Sequence, residues 1–325
     1  MAVPIKHILG ILVDNLSIRG SVLPLSKSRS TGWAKGLDIP MGGKTVIYTG
    51  HMYQLIPSIT AMEKMTSKFA NSWISKYYGI GRMVNKVINI SRFMTWTNAN
   101  ERAKFDGMLR NIALLLKTAE VDFGYLYGEE LYTGTLVYDE GINDVFEYHA
   151  HKVYERIKKH NVERVITVDP HTTDMLKSVY PKIIKDYQLE VKSYLEVLAE
   201  SNLKPLKTLE QDIVIHDSCV YARYEGIIDQ PRQLLENAGA KIIEPINSRK
   251  MTYCCGGPVE SLFPIKARTV ADSRVEQLTS AGDSSVTMCP ICYINLKAAA
   301  ENNGLSVKDI SDYLVEAYCD RNNSV

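Results

Sequence analysis

The sequence predicts an α/β protein of two pseudo-symmetric halves, each a small parallel sheet flanked by helices, with a helical insertion in the first half. Three observations predict it. Short apolar strands alternate with helical stretches, a pattern that calls for parallel strands joined by crossover helices. Two sets of segments recur in the same order along the chain. All six cysteines lie in the second half, five of them between Cys219 and Cys292.

Composition narrows the function classes. A chain of 325 residues suggests about two domains. Its 45% hydrophobic and 23% charged content is that of an ordinary folded protein. Lysine plus arginine, at 38, balances aspartate plus glutamate, at 37, which argues against nucleic-acid binding driven by bulk charge. The apolar stretch Ile8–Val13 is ended by Asp14, too soon for a secretory core. No run approaches the roughly 18 apolar residues of a membrane span. A large chain without a signal peptide reads as cytoplasmic, its thiols kept reduced for ligation or catalysis rather than paired as disulfides.

The elements follow in order. Residues 1–43 read as an arm, polar through Ser26–Gly32 and ended by Pro40-Met41-Gly42-Gly43. The first half, 44–204, opens with a strand at Thr45–Tyr48. Residues 58–118 are expected to be mostly helix, most clearly Phe105–Leu116, where apolar residues recur at helical spacing. A second helix is expected at Gly141–Lys159, a strand at Val165–Val168 and a further helix at Thr173–Glu200. A polar stretch at Ser201–Thr208, with Pro205, is the linker. In the second half, 205–325, strands at Ile213–Ile215, Lys241–Ile243 and Ser285–Met288 alternate with helices at Gln230–Ala238 and Pro264–Thr279 and after Cys292. A last helix runs from Asp312 to Cys319.

The halves align as copies. Val46–Tyr53 lies over Val214–Tyr221, Tyr132-Thr133-Gly134 over Cys254-Cys255-Gly256, and Ile166–Thr172 over Val286–Cys292. In the first copy the five cysteine positions hold His51, Tyr132, Thr133, Asp169 and Thr172. The first copy also carries the insertion.

Each cysteine group of the second copy follows a predicted strand. In a parallel sheet the loops after the strands converge on one edge, so Cys219, Cys254, Cys255, Cys289 and Cys292 are expected to meet. Cys289-Pro290-Ile291-Cys292 opens a helix, whose dipole favours thiolate. Gly256 and Gly257 permit close approach of backbone to a bulky group. Five thiolates exceed the four ligands of a zinc cage, so an iron–sulfur cluster is the favoured cofactor and zinc the alternative. Cys-Pro-x-Cys by itself would also suit a redox dithiol.

The pattern Cys219 … Cys254-Cys255-Gly256 … Cys289-Pro290-Ile291-Cys292 resembles the cysteine-rich CCG domain of the heterodisulfide reductase B subunit and of related oxidation complexes. His216-Asp217-Ser218-Cys219 with Arg223 resembles the family's His-Asp-Pro-Cys segment, with Ser218 in place of proline. The resemblance covers about residues 40–300 and implies two CCG halves. It implies one noncubane 4Fe-4S cluster held by Cys219, Cys254, Cys255, Cys289 and Cys292. It implies, too, an oxidoreductase subunit acting on a disulfide- or persulfide-type substrate, possibly presented on a carrier protein, with iron–sulfur and flavin-bearing subunits as partners. A subunit relaying electrons in a glycolate-, lactate- or succinate-type dehydrogenase complex is the alternative, and a zinc-stabilised interaction module a further one. The family's two-cluster clamp is not available here, because the first copy has lost every cysteine.

Around this site, His216 is a candidate donor to cluster or substrate, and Arg223 a candidate holder of an anionic group. His51 and His171 occupy or adjoin the erased ligand positions and are further catalytic candidates; the erased half is expected to wall a substrate cleft. Cys319 lies outside the motif and reads as a buried structural cysteine. Between Lys64 and Asn100 there is no acidic residue, against Lys64, Lys68, Lys76, Arg82, Lys86 and Arg92, with Trp73 and Trp96 nearby. That stretch reads as a docking surface for a partner subunit, with peripheral contact to the inner face of a membrane as a second reading.

Overall fold

The computed structural model describes residues 5–23, 25–69, 83–86, 97–257, 263–301 and 303–320. Among the described residues, eight short strands form two four-stranded sheets, all pairings parallel, in the orders β2-β1-β3-β4 and β6-β5-β7-β8. The strands are β1 (Thr45–Tyr48), β2 (Gly124–Tyr125), β3 (Arg164–Thr167), β4 (Glu190–Ser193), β5 (Asp212–His216), β6 (Lys241–Ile243), β7 (Ser284–Thr287) and β8 (Ser306–Asp309). The two orders are one topology used twice, as the repeat predicts. The principal helices are α1 (Ile5–Arg19), α2 (Met52–Phe69), α3 (Ala99–Thr118), α4 (Asn143–Lys159), α5 (Tyr194–Glu200), α6 (Asp229–Asn237), α7 (Pro264–Thr279), α8 (Pro290–Ala300) and α9 (Ile310–Tyr318).

Central strands are apolar throughout because helices cover both faces of a parallel sheet. In the first sheet Val46, Tyr48 and Val165 face one core, shared with α1 and α4. Ile47 and Ile166 face the opposite core, which also contains Ile213, Val214 and Ile215 of the second sheet. The two halves therefore share a hydrophobic interior. Helix α3 fills it: Phe105, Met108, Leu109, Ile112, Leu115 and Leu116 are buried there beside Tyr313, Leu314 and Tyr318 of α9. Each such large apolar side chain contributes about 2 kcal/mol relative to exposure.

A pair of reciprocal contacts marks the pseudo-dyad. Tyr221 of the second half hydrogen-bonds the Ser193 hydroxyl at the end of β4, 2.8 Å away. Its counterpart Tyr53 donates to Asp309 Oδ2 at the end of β8, at 3.2 Å. Ser193 and Asp309 each cap the helix that follows, through its Leu195 and Ser311 N–H groups.

Three expectations are corrected. The described residues of the stretch read as an arm are packed: α1 buries Leu12 and Leu16, and Trp33, 1% exposed, packs its ring 4.9 Å from that of Tyr125. The polar Ser26–Gly32 run hides this, because only one side of it is wet. The helix expected at Thr173–Glu200 is interrupted. A helical run from Pro170 to Ile183 contains a π-turn at Met175–Val179, the chain then turns through a left-handed Asp186, and Glu190–Ser193 pairs with β3 as a strand. Strands β2 and β8 have no counterpart in the sequence reading, the former only two residues long and the latter an alternating edge strand.

Of the basic stretch read as a docking surface, Trp73, Lys76, Arg82, Arg92 and Trp96 lie outside the described residues. Lys86 lies within them and pairs with Asp14 at 3.7 Å.

Candidate metal centre

Three neighbouring strands, in the order β6-β5-β7, deliver the five cysteines. Cys219 follows β5, Cys254 and Cys255 lie in the loop after β6, and Cys289 caps α8 directly after β7, with Cys292 in that helix's first turn. Cys255, Cys289 and Cys292 are buried, while Cys219 and Cys254 are partly exposed. The centre therefore has an accessible edge at Cys219 and Cys254.

The sulfurs lie close enough to shift one another's acidity. Cys254 accepts the Gly256 N–H at 3.3 Å, and with Cys219 and Cys255 beside it is held far below the ordinary thiol range. Cys219 and Cys255 are pushed up. Cys292 is shared between Cys255 and Cys289 and is likewise raised. Burial alone would raise Cys289, but hydrogen bonds from Cys292 and His171 bring it well below the usual value. The two glycines make the approach possible. Gly256 is left-handed (φ 84°), and a Cβ on it would stand 2.4 Å from the Ala267 carbonyl oxygen. A Cβ on Gly257 would collide with Ile291 at 2.2 Å.

Ion pairs and side-chain hydrogen bonds hold the loops. Asp217 takes both nitrogens of Arg232, at 2.8 and 2.9 Å, and the Arg249 N–H at 2.6 Å. Arg232 is buried and also reaches Glu244 at 2.7 and 2.9 Å. The Thr252 hydroxyl donates to the Asp217 carbonyl at 2.9 Å, and Arg223 donates to the Thr252 carbonyl. One arm of Arg223 thus braces the loop that carries Cys254.

Among the histidines, His216 is 1% exposed, and one of its ring nitrogens lies within 4.8 Å of the Cys255 and Cys292 sulfurs. Burial and the nearby Arg274 charge lower its pKa to about 3, so the ring is neutral. His171 crosses over from the other half to Cys289. Burial opposes its charge, but Cys289 leads the groups that raise it to about 9. His51 is elsewhere. It lies 3.8 Å from the buried Glu130 and lines a cavity of about 470 Å³ with Arg19, Lys27 and Met41. At the erased positions on the next loop, Asp169 Oδ1 accepts from the His171 and Thr172 N–H groups, at 2.9 and 3.0 Å. Cys319 is buried, with Thr118 Oγ1 3.3 Å away.

The residues present suit an iron–sulfur cluster. The donor set is five sulfurs delivered by three neighbouring strands, the glycine cradle leaves no room for side chains, and His216 Nε2, buried beside Cys255 and Cys292, has no partner among the described residues. Sequence reasoning missed Arg274 and Arg232 as parts of this site, and met Asp217 only as a letter of the motif. An arginine on an amphipathic helix gives no sign from spacing alone that it will be buried.

A parallel α/β half that gathers cysteines at the carboxyl ends of its strands defines a class, and likeness to known proteins gives that class its name. Residues 213–297 match the family model of the cysteine-rich domain CCG. The chain is similar to the EtfAB:quinone oxidoreductase of Syntrophomonas wolfei, 32% identical over 62% of this chain and 31% of that protein. It is similar to the probable iron-sulfur-binding oxidoreductase FadF of Bacillus subtilis, 27% identical over 69% of this chain and 34% of that protein. With the D subunit of the dihydromethanophenazine:CoB–CoM heterodisulfide reductase of Methanosarcina mazei it shares 27% identity over 63% of this chain and 54% of that protein. The chain spans between about a third and about half of the length of these curated relatives. Among the described residues no helix is long and apolar enough to cross a membrane.

Proposed function

We propose that the protein is the iron–sulfur redox subunit of a heterodisulfide reductase-like complex, with one noncubane 4Fe-4S cluster on Cys219, Cys254, Cys255, Cys289 and Cys292. The observation that carries this is the convergence of five cysteines at the ends of β5, β6 and β7, with the Cys255 and Cys292 sulfurs and a His216 ring nitrogen within 4.8 Å of one another. Bound there, the cluster would supply one-electron transfer and an iron site open to sulfur. The chain's residues do the rest. Asp217, Arg232 and Thr252 fix the loops, and Gly256 and Gly257 let backbone reach the cluster. The partly exposed side at Cys219 and Cys254 gives access, with Arg223 at the rim to steer an anionic substrate group. His171 brings the other half against Cys289 and forms part of the cleft wall.

Cleaving a disulfide takes two electrons and two protons and yields two thiols. A single cluster held by these cysteines would supply one electron at a time, so a partner subunit would have to deliver the second. Electron relay without a sulfur substrate is the second reading, favoured by the similarity to proteins named as a quinone oxidoreductase and an iron-sulfur-binding oxidoreductase.

The test is anaerobic purification with metal analysis and electron paramagnetic resonance. About four irons and four acid-labile sulfides per chain are expected; zinc alone overturns the proposal. Adding a disulfide or persulfide to the reduced protein then separates the two readings. A change in the cluster's spectrum on adding the sulfur compound supports sulfur chemistry, with thiol release expected only where a one-electron donor standing in for the partner supplies the second electron; no spectral change supports relay.

A further inference from the structure

The imidazole of His216 sits against Cys255 and Cys292 and, by position, is a candidate third ligand to whatever metal those sulfurs hold. Its hydrogen bonding says otherwise. Arg274, which is 0% exposed, donates from Nε to His216 Nδ1 at 3.0 Å. The guanidinium cannot swing away, because its Nη1 is held by the carbonyls of Ile246 and Asn247 at 3.0 and 3.2 Å and by Gln277 Oε1 at 2.8 Å. A guanidinium nitrogen only donates, so Nδ1 must present its lone pair, and the proton of the neutral ring stands on Nε2. Nε2 is buried and has no partner among the described residues.

We propose that Arg274 is a positioning residue that fixes the Nε2–H tautomer of His216. This makes His216 a hydrogen-bond donor to the sulfurs of the centre and not a metal ligand. The inference rests on the cluster reading above. A nitrogen that carries its proton has no lone pair for iron. Its N–H stabilises negative charge on thiolate or sulfide, and that charge grows on reduction. His216 therefore raises the reduction potential of the cluster, and Arg274 acts through it.

Two measurements on the full-length chain test this, neither of them activity. In protein labelled with ¹⁵N-histidine and reduced, electron–nuclear double resonance should show a weak nitrogen coupling and an exchangeable proton at His216. A strong coupling, the mark of a directly bound nitrogen, overturns the proposal. In redox titrations followed by electron paramagnetic resonance, His216→Leu should lower the midpoint potential at unchanged iron and sulfide content. His216→Gln, whose amide still donates, should restore most of the shift. Loss of iron in His216→Leu, or equal potentials in Leu and Gln variants, refutes the donor role. Arg274→Met should shift the potential in the same direction as His216→Leu. It should also mix the tautomers seen by ¹⁵N chemical shift in metal-free protein. If that variant does not fold, the wild-type tautomer decides, since an Nδ1–H ring overturns the assignment of Arg274. Absence of iron from the wild type would instead sink the cluster reading and leave the tautomer result standing.

Discussion

The two halves use one topology and end their strands in opposite ways. In the second half the loop after β5 runs through Ser218 and Cys219 in ordinary backbone conformations. In the first half the matching Gly50 and His51 are both left-handed, at φ 53° and 58°, and Gly50 lies so close to Thr172 that a Cβ would stand 2.2 Å from its hydroxyl. Where sulfurs meet in one half, backbone meets side chain in the other. The helix after β3 keeps one part of the old arrangement. Asp169 Oδ1 accepts from the Thr172 N–H, and Cys289 occupies the matching N-cap position of α8. An anion at a helix N-terminus is useful with or without metal, so that role survived while the cluster's did not.

The largest test of this contrast exchanges the two caps for neutral residues. Cys289→Ser should reduce bound iron about tenfold or more, read by iron and sulfide analysis. Asp169→Ala should leave iron content unchanged and cost about 1 kcal/mol of stability through the lost cap. Iron loss in Asp169→Ala would show that the first half still takes part in metal binding.

A smaller effect comes from Glu130, two residues before Tyr132 as Thr252 is before Cys254. Burial raises its pKa from 4.5 to about 8, although the Thr49 hydroxyl and N–H donate to it. The folded state therefore holds a proton that the unfolded chain releases earlier. Stability from this group is full below about pH 4.5 and is lost as pH rises through about 8. At roughly 1.4 kcal/mol per unit, the loss amounts to a few kcal/mol. Denaturation midpoints between about pH 5 and pH 9 should show the decline in wild type and a flatter profile in Glu130→Gln. Parallel profiles would mean that Glu130 ionises without cost, and that this half is wetter than its burial indicates.

The smallest test compares the reciprocal tyrosines. Tyr53→Phe and Tyr221→Phe should each cost about 1 kcal/mol in chemical denaturation, with little effect on iron content. A much larger cost for one would show that the pseudo-dyad is geometric but not energetic.

The central strands are legible in the sequence because a strand covered on both faces is a continuous apolar run, as in Ile213-Val214-Ile215. The edge strands are not. Glu190-Val191-Lys192-Ser193 has one fully covered side and reads equally well as the tail of a helix. The five cysteines stand out by type and spacing, and the structure brings them together. Arg274 and Arg232 do not, because their burial depends on the partners His216 and Asp217, which lie distant in sequence. His51 occupies the place of Cys219 in the repeat, yet the left-handed loop carries it to Glu130 instead.

Helix α3 has a consequence for the order of synthesis. It is encoded in the first half, but the face that carries Leu109, Ile112 and Leu116 is closed by α9, the last helix of the described chain. Asn111 reaches Asp312 there at 2.9 Å, and Phe105 sets its ring edge-on to Tyr293 of α8. As the chain leaves the ribosome, that face must wait for nearly all of the second half before it is covered. A fragment beginning at residue 205 would lack the same lid. The half that keeps the cysteines thus matures only together with the half that lost them, and that dependence gives selection a reason to retain the latter.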